Sequence, residues 1–67
     1  MCRNIKQLRQ REQAVTADEC NAAALQFVRK VTGYQKPSKA NEEIFQTAVA
    51  DIASITKTLL DNLTTRA

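Results

Sequence analysis

Residues 38–65, SKANEEIFQTAVADIASITKTLLDNLTT, contain no Gly and no Pro. Apolar residues fall at Ile44, Phe45, Ala48, Val49, Ile52, Ile55, Leu59, Leu60 and Leu63, in steps of three, four and seven. That is the period of an amphipathic helix. Gln46, Thr47, Asp51, Ser54, Lys57, Thr58, Asp61 and Asn62 fill the gaps. Ser38, after Pro37, is the expected N-cap, with Asn41 as its rival. Glu42 and Glu43 complement the positive end of the helix dipole, and Arg66 lies near the other end. At ~1.5 Å per residue such a helix would be roughly 40 Å long, too long for one short partner to cover.

A second helix is predicted over residues 16–32. Thr16 followed by Glu19 fits the capping box, in which the hydroxyl bonds forward and the carboxylate reaches back. Asp18 and Glu19 stand at its start, Arg29 and Lys30 at its end. Gly33, the chain's one glycine, falls where a left-handed cap is expected, and Pro37 follows as a stop. The apolar set Cys20, Ala23, Ala24, Leu25, Phe27, Val28 and Val31 covers roughly half the circumference at ~100° per residue. One facing helix needs less, so the remainder is left for the N-terminal arm or a second chain. The alanines permit close helix approach. The link between the helices is short, which favours antiparallel neighbours.

The fold class is therefore all-α. A single small domain, 1–67, consists of an arm and polar connector (1–15) and a helical hairpin (16–67). With 67 residues an elongated hairpin buries little apolar surface. Two cysteines make no disulfide framework and no metal-ligand set is present, so self-association is the remaining source of stability. The expected product is a homodimeric four-helix bundle, with Phe45, Val49, Ile52, Ile55, Leu59 and Leu63 as the candidate self-association face.

Charge changes this picture moderately. Ten Lys and Arg stand against seven Asp and Glu, a net charge of +3. Arg3, Lys6, Arg9 and Arg11 make the first eleven residues a basic arm, with Ile5 and Leu8 three apart as apolar anchors. The functional reading is an arm reaching for phosphates; the blander one is a docked tail with solvated charges. Arg29, Lys30, Lys36 and Lys39 gather around the turn, where Tyr34 would stack on a base or make the apolar contact that accompanies a glycine cap. Arg3, Lys6, Arg9, Arg11, Arg29, Lys30 and Lys36 are thus candidate anion or nucleic-acid contacts. The partners expected are a second copy, and after it nucleic acid or another protein.

The chemistry of an enzyme is hard to find. There is no histidine, which removes Ser-His-Asp and Cys-His arrangements. Cys2 and Cys20 lack the Cys-x-x-Cys spacing of a metal site, and a single glycine excludes a glycine-rich phosphate loop. The acidic pairs Asp18-Glu19 and Glu42-Glu43 sit where helix N-termini favour negative charge. No enzyme activity and no cofactor are expected. Cys2 is the sharpest oddity: removal of Met1 would leave an N-terminal cysteine whose amine and thiol would chelate a metal or act as a nucleophile in a redox role, the thiol made more reactive by Arg3 and Lys6. The alternative is a small apolar plug. Cys20 reads as a buried helix residue. No run of about 18 apolar residues occurs, so no membrane span is expected. Neither is a signal peptide, since the start lacks an apolar segment. A cytoplasmic protein with reduced thiols is expected.

Three blocks carry a further signal. They are Met1-Cys2-Arg3-Asn4-Ile5-Lys6 with Leu8; the run AAALQFVRKV at 22–31 with Gly33; and Lys36-Pro37-Ser38 followed by Asn41-Glu42-Glu43, Phe45, Ala48-Val49, Ile52 and Leu59-Leu60-Asp61. Together they resemble a family of short bacterial proteins classed as a domain of unknown function. The resemblance spans nearly the whole chain. It implies a bacterial cytoplasmic protein and brings no established activity, substrate or cofactor. The family pattern marks Cys2, Arg3, Arg29 and Lys30 as candidates. This chain departs from it in the connector 9–14, where relatives often carry aromatic residues or prolines. It departs again at Cys20, where relatives tend to have a larger aliphatic residue, which supports a core position.

Overall fold

A computed structural model of the chain describes residues 7–9 and 14–63. Two helices pack against each other as a hairpin, α1 (Ala17–Thr32) and α2 (Glu42–Asn62), and a 3-10 turn at Lys39–Asn41 leads into α2. The body measures 46 × 22 × 14 Å, a single helical layer with one long flank on each side.

α1 begins as its sequence dictates. Thr16 is extended (φ −90°, ψ 158°). The Glu19 backbone N–H donates to Thr16 Oγ1 at 3.1 Å, and the Thr16 N–H donates to Glu19 Oε1 at 2.9 Å. Two of the N–H groups that a helix start leaves unpaired are thereby satisfied. Val15, just before the cap, is buried in one cluster with Cys20, four positions into the helix proper. This is a hydrophobic staple, and it corrects the reading of Val15 as part of a polar connector. At the other end Gly33 is left-handed (φ 79°) and its N–H bonds to the Arg29 carbonyl at 2.9 Å. The Thr32 hydroxyl donates to the Val28 carbonyl at 2.7 Å and accepts from the Tyr34 N–H at 3.1 Å. The turn is closed by these three bonds.

α2 starts later than its sequence suggests. Asn41 Nδ2 donates to Ser38 Oγ at 3.1 Å, so the two rival caps engage each other, and neither bonds a backbone N–H of the helix start with its side chain. The first turn is consequently 3-10. At the far end Asn62 Nδ2 donates to the Thr58 carbonyl at 2.7 Å, standing in for a further backbone N–H, and Leu63 is extended. The expected end at Thr65, like Arg66, lies outside the described residues. With 21 residues α2 is about 32 Å long. Lys57 and Asp61 form an i,i+4 ion pair at 2.6 Å on its surface.

The core is small and built from small residues. Cys20, Ala24 and Val28, four apart, form the inner line of α1, and Phe45 and Ala53 are the buried residues of α2. Val15, Cys20, Ala24 and Ala53 make one cluster, against which Leu8, Val49, Ile52 and Leu60 pack half-buried. Leu8 is therefore docked on the hairpin, as the tail reading expects; Ile5 lies outside the described residues.

Candidate functional site

The hairpin contact divides the predicted self-association face. Phe45 is 8% exposed, and Val49 and Ile52 pack on the core cluster. These three positions are engaged inside the chain. Ile55, Leu59 and Leu63 remain exposed, at 70%, 56% and 42%. Ile44, which the predicted face omitted, is 71% exposed. At ~100° per residue Ile44, Ala48, Ile55 and Leu59 lie within about 60° of one another, on the flank of α2 beside its buried arc. A helical wheel centred on Ile44 rather than Phe45 would have shown this stripe. On the same side of the hairpin, α1 leaves Phe27 and Val31 exposed. Two shallow grooves run along it. One is lined by Leu8, Ala23, Phe27, Ile52 and Leu60, the other by Val28, Tyr34, Ile44, Phe45 and Ala48. Tyr34, beside the glycine cap, thus lines the second of these grooves.

Of the predicted basic residues, Arg9, Arg29, Lys30 and Lys36 lie among the described residues. Arg9 and Lys30 are exposed and Arg29 is half-buried. Arg29 and Lys30 are adjacent on α1 and so project about 100° apart. Arg29 is instead brought together with Lys36 across the turn, in a groove of about 270 Å³ on the flank opposite Ile44 and Ile55. Leu25, Phe45 and Val49 form its apolar wall, and the amides of Asn21, Gln35 and Gln46 its rim. The Arg29 Nε is buried and has no hydrogen-bond partner among the described residues. Cys2, Arg3, Lys6 and Arg11 lie outside the described residues.

Cys20 is a free thiol, 1% exposed, at the centre of the core. Among the described residues no three His, Cys, Asp or Glu side chains gather as metal ligands would. No described helix is long and apolar enough to cross a membrane.

Comparison with curated proteins and with solved structures returns no match. A family model covers residues 1–67, from the basic arm through both helices, and on that match the chain belongs to the family described as uncharacterized conserved protein (DUF2277).

Proposed function

We propose that the chain is a non-enzymatic helical interaction module that pairs with a second copy of itself. The pairing face is Ile44, Ala48, Ile55 and Leu59 of α2 with Phe27 of α1, and the product is a four-helix bundle. The observation that carries this reading is the exposure of Ile44 and Ile55, 71% and 70%, on one apolar stripe at helical spacing. Scattered single apolar residues on a surface are ordinary, whereas a contiguous stripe marks an interface.

Charge opposes a like copy only weakly at this face. Thr47, Ser54 and Thr58 border the stripe and Asp51 is its one charged neighbour on the helical wheel, so two copies meet without opposing their net charge of +3. The working compartment in this reading is the cytoplasm, where both thiols stay reduced.

Light scattering of the full chain over a range of concentrations and salt tests the proposal. The expected result is a mass twice 7.5 kDa, insensitive to salt because the interface is apolar, with Ile55→Asp and Leu59→Asp each giving a folded monomer. A wild-type monomer at every concentration refutes it. So does an Ile55→Asp chain that remains dimeric, because Ile55 would then lie outside the interface. Partner capture by nucleic acid, steeply weakened by salt, with no dimer, would replace this reading by the basic-surface one.

A further inference from the structure

The pairing face has a symmetry of its own. The midpoint between Ile44 and Leu59 falls between Asp51 and Ile52, and so does the midpoint between Ala48 and Ile55. At ~100° per residue, Ile44 and Ile55 point about 30° and 10° to one side of the centre of the stripe, and Leu59 and Ala48 about 30° and 10° to the other. Turning the stripe end for end about that midpoint therefore returns the same stripe. A two-fold dimer joins one patch to its own copy, so a patch that reads the same from both ends fits a second copy of this chain.

In that antiparallel arrangement Ile44 stands level with the partner's Leu59, and Ala48 with the partner's Ile55. Within each pair the two side chains lean to opposite edges of the seam, so they pass side by side rather than meeting tip to tip. Small Ala48 meets large Ile55 twice, which keeps the two helix axes evenly spaced. A parallel pair would set Ala48 on Ala48 and, about two turns away, Ile55 on Ile55. It would be close at one level and held apart at the other, whereas rigid helices pack at a separation fixed by the residues in contact. Antiparallel pairing also lays the positive end of each α2 beside the negative end of the other. α1 offers less on this flank. Leu8 lines a groove with Ala23 and Phe27, so the chain's own arm already stands over that side of α1 and leaves Phe27 at the rim of the contact. Asp51 opposes the pairing. It points about 50° from the centre of the stripe, on the side away from α1, and no charged residue stands three or four positions from it on α2. The two Asp51 carboxylates meet near the two-fold at the solvent edge of the seam, where their repulsion is screened.

We propose that two copies pair through α2 in antiparallel register, with the two-fold between Asp51 and Ile52, Ile44 against the partner's Leu59 and Ala48 against the partner's Ile55. The inference rests on the self-pairing proposed above and adds its orientation, its register and the like-charged Asp51 pair that limits its strength.

The test uses full-length chains carrying Ala48→Cys or Ile55→Cys, each with Cys2→Ser to remove a competing thiol; Cys20 is buried. Light scattering first records the mass of each chain and of their mixture. Mild oxidation follows, and intact-mass spectrometry reads the covalent products. The mixture should give a disulfide-linked heterodimer, because positions 48 and 55 are level across the seam. Neither chain alone should link to itself. Two copies of either position lie seven residues apart along the axis, about 10 Å, beyond the ~7 Å that a disulfide spans between Cα atoms. Asp51→Asn should tighten the wild-type dimer severalfold, most at low salt. Self-linking of Ala48→Cys would show a parallel pair and overturn the proposal. A sample that scatters as a dimer but forms no heterodimer link, or an Asp51→Asn dimer weaker than wild type, overturns it as well while leaving self-pairing in place. A monomer at every concentration overturns this inference together with the reading on which it rests.

Discussion

Ile44 and Phe45 are neighbours in the chain, similar in hydrophobicity, and opposite in fate: 71% and 8% exposed. Replacing each with alanine tests the orientation of α2 directly. For Phe45→Ala, removal of a buried ring costs about 3–5 kcal/mol from lost transfer energy and the cavity left behind. Phe45 sits toward the turn end of a thin hairpin, where neighbours can relax, so the lower part of that range applies. A chain of 67 residues has a total stability of about 3–10 kcal/mol, so this one change removes a large share of it. For Ile44→Ala, only about three-tenths of a side chain worth about 2–3 kcal/mol is buried, which puts less than about 1 kcal/mol at stake. Alanine's better helix propensity returns up to about 0.7 kcal/mol. The net cost is therefore at most about 0.5 kcal/mol, at least about 2 kcal/mol less than at Phe45. Urea unfolding of dilute protein, followed by far-UV circular dichroism, measures both, and the slope m should be unchanged. As concentration rises, Ile44→Ala should become progressively more destabilising relative to wild type if Ile44 enters a dimer interface, because association stabilises only the folded state. If Ile44→Ala costs as much as Phe45→Ala in the dilute limit, α2 is turned by about 100° from the orientation described, or Ile44 is covered within its own chain. Either outcome refutes the reasoning.

Other expectations are local. Thr16→Ala removes the hydroxyl that accepts from the Glu19 N–H and should cost about 1 kcal/mol, lowering Tm by about 4–8 °C in a calorimetric scan. Gly33→Ala should cost about 1 kcal/mol through backbone strain alone, since φ is +79° and an added Cβ meets nothing within 4 Å; a left-handed alanine costs about 1–2 kcal/mol, partly offset through the unfolded chain. Gly33→Asn, which tolerates that conformation better, should cost less, as the same scan would show. Cys20, 1% exposed, should resist thiol labelling in the native protein and react once urea unfolds it. Peptide mapping that finds Cys20 modified as fast in native as in unfolded protein would show that the core around Ala24 and Ala53 is open.

The ends of α1 were legible in the residues because they depend on chemistry only a few positions apart. Thr16 and Glu19 close a box over one turn, and Gly33 takes a conformation that other residues resist. The start of α2 was read less well for a local reason of another kind. Ser38 and Asn41 are both good caps, and the pattern alone does not say that they would bond each other. The candidate site was legible only in part. Arg29 and Lys30 look like one basic pair in the sequence, but helical geometry sends them apart and the turn brings Lys36 to Arg29 instead.

Residue pattern by itself determined two helices, the turn between them, an antiparallel hairpin and a surplus of apolar surface beyond what one hairpin contact covers. Tertiary structure decided which part of that surplus is used inside the chain. The apolar arc of α2 runs from Ile44 round to Leu60, about 160°, and α1 covers only part of it. The choice falls to close packing. Cys20 and Ala24 let α1 approach most nearly where α2 also presents a small residue. That residue is Ala53, too weakly apolar to stand out in the pattern, yet buried at the centre of the core cluster. Seating Ala53 there turns Phe45 and Val49 inward and leaves Ile44, Ile55 and Leu59 on the flank, because one rigid helix cannot present all of its apolar positions to a single partner.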